Sequence, residues 1–128
     1  MSNLYKDLES CFPTAPNTCA FETIDGRYYT FDDLRHASAK IANWLSALNI
    51  PRGSRVAVQV EKSVEAVMLY LGTLRAGMVF LPLNTAYREN EIGYFLKDAE
   101  PAVVVCSPEN RAWIEPLARQ AGCAVVET

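Results

Sequence analysis

The sequence predicts an α/β fold in which alternating strands and helices build a parallel sheet, with a short β-hairpin before it. Short apolar runs at Arg55–Val60, Met78–Leu83 and Ala102–Cys106 alternate with stretches of helical periodicity, and the links between them are short. Parallel strands need crossover connections, which are usually helices, so this alternation is typical of βαβ units. A sheet with helices packed on it is therefore the expected architecture.

The chain begins with a segment of weak periodicity. Residues 1–18 show only a short helical stretch at Leu4–Cys11, so we expect an arm that leads into the fold. The runs Ala20–Thr23 and Arg27–Thr30 then flank the dipeptide Asp25-Gly26, which tolerates the positive φ angles of a two-residue turn. This pattern predicts a small β-hairpin.

Two helices follow the hairpin, and each has a recognisable start. Thr30 can cap the first, with Asp33 near its positive end, and Ser63 can cap the second, which ends at Gly77. Gly72 lies inside the second helix and indicates close packing against a neighbour. The apolar positions of the two helices are Leu34, Ala37, Ile41, Leu45 and Leu48, then Val64, Val67, Met68, Leu71 and Leu74.

The Met78–Leu83 run is apolar throughout. Continuous apolarity without alternation is typical of a strand covered on both faces, and Pro82, which has no N–H, predicts that the ladder of this strand ends there. A third helix is expected next, before Pro101. Its apolar positions are Ile92, Phe95, Leu96 and Ala99.

A last helix and a short strand complete the pattern. Ser107-Pro108 is typical of a helix start, and we expect the helix to kink or restart at Pro116. Ala124–Val126 is expected to be the fourth strand of the sheet. Because three strand–helix units follow one another, residues 19–128 are interpreted as one flavodoxin-like α/β subdomain.

Composition and charge argue against several classes of partner. The 128 residues carry a net charge of −3 without a basic stripe, so no nucleic acid is expected as a partner. No apolar run approaches the roughly 20 residues that a membrane span needs, so no membrane partner is expected. The N-terminus has neither a secretory nor a transit pattern, which favours a cytoplasmic location.

Candidate chemical groups are few, and no catalytic residue or metal ligand is assigned. His36, which follows Asp32 by one helical turn, is interpreted as a solvated histidine on a helix face. The cysteines form no CxxC pair and are interpreted as free thiols; they are Cys11, Cys19, Cys106 and Cys123. Carboxylate pairs at helix starts are interpreted as complements of the helix dipoles; they are Asp32-Asp33, Glu61-Glu65 and Glu89-Glu91.

The loops after the strands lack the usual phosphate motifs. Glu61-Lys62-Ser63 follows the first strand without the glycines of GxGxxG, and GxxxxGK[ST] does not occur. A phosphoacceptor receiver domain would need an acidic pair after the first strand and an aspartate at the end of the third, where Cys106 is found. The motifs therefore assign no nucleotide site.

Two segments, Tyr29–Leu34 and Leu74–Asn84, resemble the first two core motifs of the adenylate-forming enzymes. This superfamily includes acyl-CoA synthetases, luciferases and peptide-synthetase adenylation domains. Within it, the segments Glu61–Ala66, Pro82–Tyr87 and Asp98–Pro101 are most similar to malonyl-CoA synthetases. The similarity covers nearly all of the chain from residue 20 onward.

The resemblance implies a ligase in which ATP activates a small carboxylate, here malonate, as an acyl-adenylate before the thiol of CoA attacks the acyl carbon. It implies ATP, Mg²⁺ and CoA as cofactors of the full-length enzyme. Family members carry the phosphate loop, the ribose-binding acid and the catalytic lysine downstream of the segment matched here. The chain is therefore expected to be an inactive N-terminal fragment that binds none of these cofactors tightly and has the remainder of the ligase as its partner.

One loop is the best candidate for a functional segment; it consists of Asn84, Thr85, Ala86, Tyr87 and Arg88. It follows the C-terminal end of a strand and resembles a region that borders the CoA channel in some relatives. The competing interpretation is that Asn84 and Thr85 turn the chain into the next helix. Arg88 offers the cation that a second carboxylate of malonate needs, although the resemblance places that recognition further along the chain.

Two alternatives stay open. The chain could be a stand-alone α/β binding or assembly module, for example a homodimer through the face that the rest of a ligase would cover. It could also belong to the same class of enzyme but act on acetate, methylmalonate or an aryl carboxylate.

Overall fold

The computed structural model describes residues 3–15, 17–123 and 125–127, and of Val125 only the backbone. The chain forms two compact units, Met1–Asn49 with Ser63–Gly77 and Ile50–Lys62 with Met78–Thr128. The first contains α1 (Leu4–Glu9), β1 (Cys19–Glu22), β2 (Tyr28–Thr30), α2 (Phe31–Ala47) and α3 (Val64–Arg75). The second contains β3 (Arg55–Gln59), β4 (Val79–Pro82), α4 (Glu89–Ala99), β5 (Val103–Cys106), a 3₁₀ turn (Pro108–Asn110), α5 (Arg111–Gln120) and β6 (Val125–Glu127). The assignment of residues 19–128 to one subdomain stays a prediction.

The helices of the first unit begin and end where the sequence predicts. Thr30 and Asp33 form a reciprocal capping box at the start of α2, in which each side chain accepts a hydrogen bond from the backbone N–H of the other. The Ser63 hydroxyl accepts a backbone hydrogen bond at the start of α3. Asn49 follows α2 with a φ of 57° and Gly77 follows α3 with a φ of 78°, the left-handed conformation that ends many helices.

The predicted hairpin and the close packing of Gly72 are both confirmed. β1 and β2 pair in antiparallel fashion around a turn that contains Gly26, whose φ is 85°. In α3, Gly72 is buried and faces Ile41 of α2 with no room for a side chain. A core of Tyr5, Leu34, Val64 and Leu71 completes the unit.

Tyr5 ties α1 to the other helices of the first unit. Its side chain is only 3% exposed, and its hydroxyl donates to Glu9 at 2.6 Å and accepts from Arg75 Nη1 at 3.0 Å. Asn3 caps α1 and also donates from Nδ2 to the Leu74 carbonyl at 3.0 Å. The segment expected to be an arm therefore contains a short helix held by specific polar contacts.

The second unit is a four-stranded parallel sheet with the strand order β4-β3-β5-β6, which confirms the predicted fold class. Ala57 of β3 lies in register with Leu81 of β4 and with Val104 of β5. Side chains of α4 and α5 join the sheet in one core, which contains Ala57, Leu83, Ile92, Leu96, Val104, Cys106, Ile114, Ala118, Cys123 and Val126. The boundaries of the strands differ from the predicted ones by only one residue, and Ala124 lies outside the described residues.

β4 differs from the prediction because it lies at the edge of the sheet. The expectation that both of its faces are covered is wrong, since Val79 is 47% exposed and no residue of the strand is fully buried. The prediction that the ladder ends at Pro82 is confirmed: Val58–Pro82 is the last pair of the register, and it is closed by the Leu83 N–H, which donates to the Val58 carbonyl at 2.8 Å. N–H groups alternate in direction along a strand, so those of Val79 and Leu83 face β3 whereas the nitrogen of Pro82 faces away.

The helix does not restart at Pro116, so that part of the prediction is wrong, whereas a kink at Pro116 stays a prediction. α5 runs from Arg111 to Gln120 with Pro116 inside it, and the change of helix type lies earlier, where the 3₁₀ turn passes into α5. A proline in the second turn removes a single backbone hydrogen bond, and the buried side chains of Ile114 and Ala118 hold the helix on the sheet. Among the helices that the structure describes, none combines the length and the apolar composition that a membrane span requires.

Candidate functional site

The strand order places a topological switch point at the carboxyl ends of β3 and β5. In open sheets of this order, ligands bind beyond the carboxyl ends of the strands where the direction of winding reverses. The last residues of the two strands, Gln59 and Cys106, lie in register with each other, and both are buried. Burial raises the pKa of the Cys106 thiol, which therefore stays protonated at neutral pH.

A cleft of about 560 Å³ lies beside this point, between the segments that follow β3 and β4. It is lined by Val60, Glu61, Lys62, Pro82, Leu83, Asn84 and Thr85. The cleft therefore includes the first two residues of the predicted loop. Of the lining residues Leu83 is buried and Val60 and Thr85 are half-buried, whereas the others are exposed; these are Glu61, Lys62, Pro82 and Asn84.

The structure gives each residue of the predicted loop a definite place. Asn84 turns the chain, because its Oδ1 accepts from the Ala86 N–H at 2.9 Å and its carbonyl accepts from the Tyr87 N–H at 3.1 Å. Thr85 lines the cleft, and Ala86 is exposed. Arg88 caps α4, with its backbone N–H donating to Glu91 at 3.3 Å. The turn-forming interpretation is therefore correct for Asn84, while Thr85 remains available to a ligand.

Tyr87 anchors the loop to the core. Its ring stacks on that of Phe95 in α4, with centroids 5.2 Å apart and an interplanar angle of 23°. Its backbone carbonyl accepts a hydrogen bond from Gln59 Nε2 at 3.1 Å, and the same nitrogen donates to the Asn84 carbonyl at 3.0 Å. The loop is consequently held by the ring contact between Tyr87 and Phe95 and by the hydrogen bonds from the Gln59 side-chain amide.

Two cations in the segments that follow β3 and β4, Lys62 and Arg88, form no ion pair within the part of the chain that the structure describes. Neither Lys62 nor Arg88 lies within ion-pair distance of a carboxylate among residues 3–15, 17–123 and 125–127. Lys62 lies on the rim of the cleft beside Glu61. Both cations can meet an anionic group without first breaking an internal pair.

The described residues do not by themselves make up a nucleotide or metal site. No group of three or more His, Cys, Asp or Glu side chains in the described part of the chain could hold a metal ion. The charged side chains that line the cleft are Lys62, which would attract a phosphate, and Glu61, which would repel it. No glycine lines the cleft, so it has no glycine-rich loop whose backbone N–H groups could bind a phosphate. We therefore assign no step of phosphate chemistry to these side chains.

The remaining candidate residues from the sequence lie apart from the cleft. His36 has a 75% exposed side chain whose Nε2 is 4.0 Å from Asp32, as expected for a solvated helix face. None of the four cysteines, all of them among the described residues, forms a disulfide; Cys11 and Cys19 are exposed, whereas Cys106 and Cys123 are buried. The interpretation of the cysteines as free thiols is therefore confirmed.

Gln59 is the residue of this site that the sequence analysis missed. The sequence contained a signal, because Gln59 is the one polar residue in the run Val56–Val60, and it lies on the same face of the strand as the buried Ala57. A buried amide at the end of a strand must find partners in a neighbouring loop. Its partners lie 25 and 28 residues further along the chain.

Comparisons with known proteins show to which family the chain is similar. A model of the family described as "AMP-binding enzyme" matches residues 9–127. Apo MatB from Rhodopseudomonas palustris is 44% identical with a TM-score of 0.90, over 98% of this chain and 25% of that one. The medium-chain fatty-acid–CoA ligase of Escherichia coli is 34% identical over 85 residues, which are 66% of this chain and 15% of the ligase.

A further relative has an aromatic substrate in its name. The 4-hydroxybenzoate–CoA/benzoate–CoA ligase of Rhodopseudomonas palustris is 32% identical over 92 residues, which are 72% of this chain and 17% of the ligase. The chain thus spans a quarter or less of the length of these relatives. Since the family model covers nearly the whole of the chain, the protein belongs to the family of AMP-binding enzymes.

Proposed function

We propose that these residues are the N-terminal part of an ATP-dependent acid–CoA ligase that forms malonyl-CoA from malonate, ATP and CoA. The observation that carries the proposal is the 44% identity to MatB over 98% of the chain, within a family match over residues 9–127. MatB has also been solved with ATP bound, which supports a nucleotide-dependent reaction. The segments Glu61–Ala66 and Pro82–Tyr87, which resemble malonyl-CoA synthetases, support malonate as the acid.

The proposed reaction has two chemical steps. A malonate oxygen attacks the α-phosphorus of ATP, pyrophosphate leaves, and malonyl-adenylate forms; the CoA thiol then attacks the acyl carbon and AMP leaves. Mg²⁺ would offset the phosphate charge that develops in the first step. The groups that perform both steps belong to the remainder of the ligase, which is the proposed partner of these residues in a cytoplasmic enzyme.

The contribution of this chain is structural and lies along the proposed path of CoA. The loop Asn84–Arg88 follows the carboxyl end of β4 and lines the cleft through Asn84 and Thr85. Lys62 and Arg88 lie on the same unit and pair with no carboxylate of the described residues, and their positive charge suits the phosphates of CoA. No catalytic role is proposed for a residue of this chain.

The test is a pair of assays on the natural protein and on the 128 residues alone. The natural protein should exchange pyrophosphate with ATP in the presence of malonate and Mg²⁺, and should form malonyl-CoA when CoA is added. The 128 residues alone should do neither. Exchange by the short chain, or a natural protein inactive with every carboxylate offered, would contradict the proposal.

A second candidate keeps the reaction and changes the acid. Relatives named for medium-chain fatty acids and for benzoates are 34% and 32% identical to this chain, so the family match alone is shared by ligases of different acids. The ratio of kcat/KM for malonate to that for acetate, methylmalonate, octanoate and benzoate decides between them. Malonate should exceed acetate by about a hundredfold or more if a buried cation pairs with its second carboxylate.

A further inference from the structure

Gln59 occupies a position where an apolar residue would be expected. It is the last residue of β3, is 1% exposed, and lies on the face of the sheet that packs into the core with Ala57. Its register partner on β5 is the buried Cys106. A glutamine side chain at such a position loses its hydration, so its amide needs partners within the fold.

The amide of Gln59 is only half satisfied. Its Nε2 donates to the carbonyls of Asn84 and Tyr87, at 3.0 and 3.1 Å. Because both acceptors are carbonyl oxygens, the nitrogen must face the loop and the oxygen must face the core. The Oε1 atom is buried and has no hydrogen-bond partner among the residues that the structure describes.

We propose that Gln59 is a positioning residue that holds the loop Asn84–Arg88 over the switch point of the sheet. The two carbonyls stand at either side of the Asn84 turn, so one amide group sets both its start and its end. A buried acceptor without a partner destabilises the fold, and an apolar side chain would avoid that penalty. Stability alone therefore does not explain the glutamine, whereas a loop that must keep one conformation does.

This inference rests on the proposed function only in taking the loop to border CoA. The positioning itself can be measured without any substrate. Two N–H groups report on the turn: that of Ala86, bonded to the Asn84 side chain, and that of Tyr87, bonded to the Asn84 carbonyl. Both should be protected from hydrogen exchange as long as Gln59 holds the loop.

The test uses Gln59→Met in the natural protein, because methionine keeps the length and the packing of glutamine but has no N–H. The exchange of the Ala86 and Tyr87 amides should become about tenfold faster, since two hydrogen bonds to the loop are lost. The Tm should change by less than about 3 °C, because the unpaired Oε1 is lost with them. Gln120→Met, at an exposed position of α5, is the matched control and should change neither.

Kinetics separate the positioning role from a general loss of structure. In Gln59→Met the KM for CoA should rise about fivefold while kcat and the KM for ATP stay within about twofold of the parent values. Unchanged exchange of the two loop amides would overturn the positioning role. Faster exchange with an unchanged KM for CoA would support that role and would overturn the placement of the loop beside CoA.

Discussion

Gly72 of α3 lies directly against Ile41 of α2, so closely that a Cβ added to the glycine would be 2.5 Å from Ile41 Cγ2 and 2.6 Å from Ile41 Cβ. The two helices can approach to this distance because one of them carries no side chain at the crossing point. Separations this short are not tolerated between carbon atoms, so a larger residue would force α2 and α3 apart.

Gly72→Ala should therefore destabilise the protein even though alanine favours a helix. The overlap with Ile41 is expected to lower the free energy of unfolding by about 1–3 kcal/mol, which outweighs the gain of about 1 kcal/mol in helix propensity. Urea unfolding measures the difference. Gly93→Ala in α4 is the matched control, because its Cβ would lie 3.7 Å from Leu117 in ordinary contact and should stabilise by about 0.5–1 kcal/mol. Equal effects of the two substitutions would contradict the prediction.

Tyr5→Phe should weaken the attachment of α1. The hydroxyl donates to Glu9 and accepts from Arg75, so its loss should lower the free energy of unfolding by about 1–2 kcal/mol in a urea titration at neutral pH. Tyr28→Phe, at an exposed position of β2, should have little effect and serves as the control. A Tyr5→Phe protein as stable as its parent would show that the packing of the ring alone holds α1.

The same hydroxyl predicts a loss of stability at alkaline pH. Burial and the neighbouring Glu9 raise the pKa of Tyr5, so the folded state holds the phenolic proton more tightly than the unfolded state does. This contribution is fully present below about pH 10 and is lost as the pH rises through the raised pKa. The difference in Tm between the parent and Tyr5→Phe should therefore shrink above about pH 10. A difference that stays constant across this range would contradict the assignment.

The cysteines should divide into two kinetic classes. Cys11 and Cys19 are exposed and should react quickly with a chromogenic disulfide reagent while the protein is folded. Cys106 and Cys123 are 0% and 2% exposed, and burial raises the pKa of Cys106, so both should react only as the protein unfolds. In denaturant, all four thiols should react at similar rates. A third fast thiol in the native protein would contradict the packing of the core.

Glu115 should contribute to the acid sensitivity of α5. Its carboxylate bonds to Arg111 at 2.9 Å and to Arg119 at 2.8 Å, and hydrogen bonds from these arginines lower its pKa. The stabilisation is present above the unfolded pKa of about 4.3 and is lost as the pH falls through the lowered value. Glu115→Gln should thus lower the Tm at neutral pH but not in acid. Glu109→Gln, whose carboxylate pairs with no cation of the described residues, should leave the Tm unchanged at both pH values.

Local features of the fold could be predicted from the sequence, and features that depend on distant partners could not. Thr30 and Ser63 were recognisable as caps because their bonding groups lie within three residues. The exposure of β4 depends on its position in the sheet, and an apolar run carries no information on strand order. In the same way, Pro116 stays within a helix because packing on the sheet outweighs one lost backbone bond.

The candidate site shows the same division. The loop Asn84–Arg88 could be proposed from the sequence because polar residues follow an apolar run, which is a pattern within a few residues. The role of Gln59 depends on two carbonyls that lie 25 and 28 residues away, and that of Tyr5 on Arg75, 70 residues away. The roles of such side chains can be recognised only when the three-dimensional positions of their distant partners are known.

The outward nitrogen of Pro82 has a consequence for the behaviour of the protein at high concentration. An exposed strand with regularly spaced donors is a template on which a second chain can add its own strand, the first step of self-association. β4 is apolar and partly exposed, yet proline removes a donor from its outer side without disturbing the bonds to β3. Pro82 therefore interrupts the row of donors on the outer side of β4, and replacing it with valine should promote aggregation at concentrations where the parent chain stays dispersed.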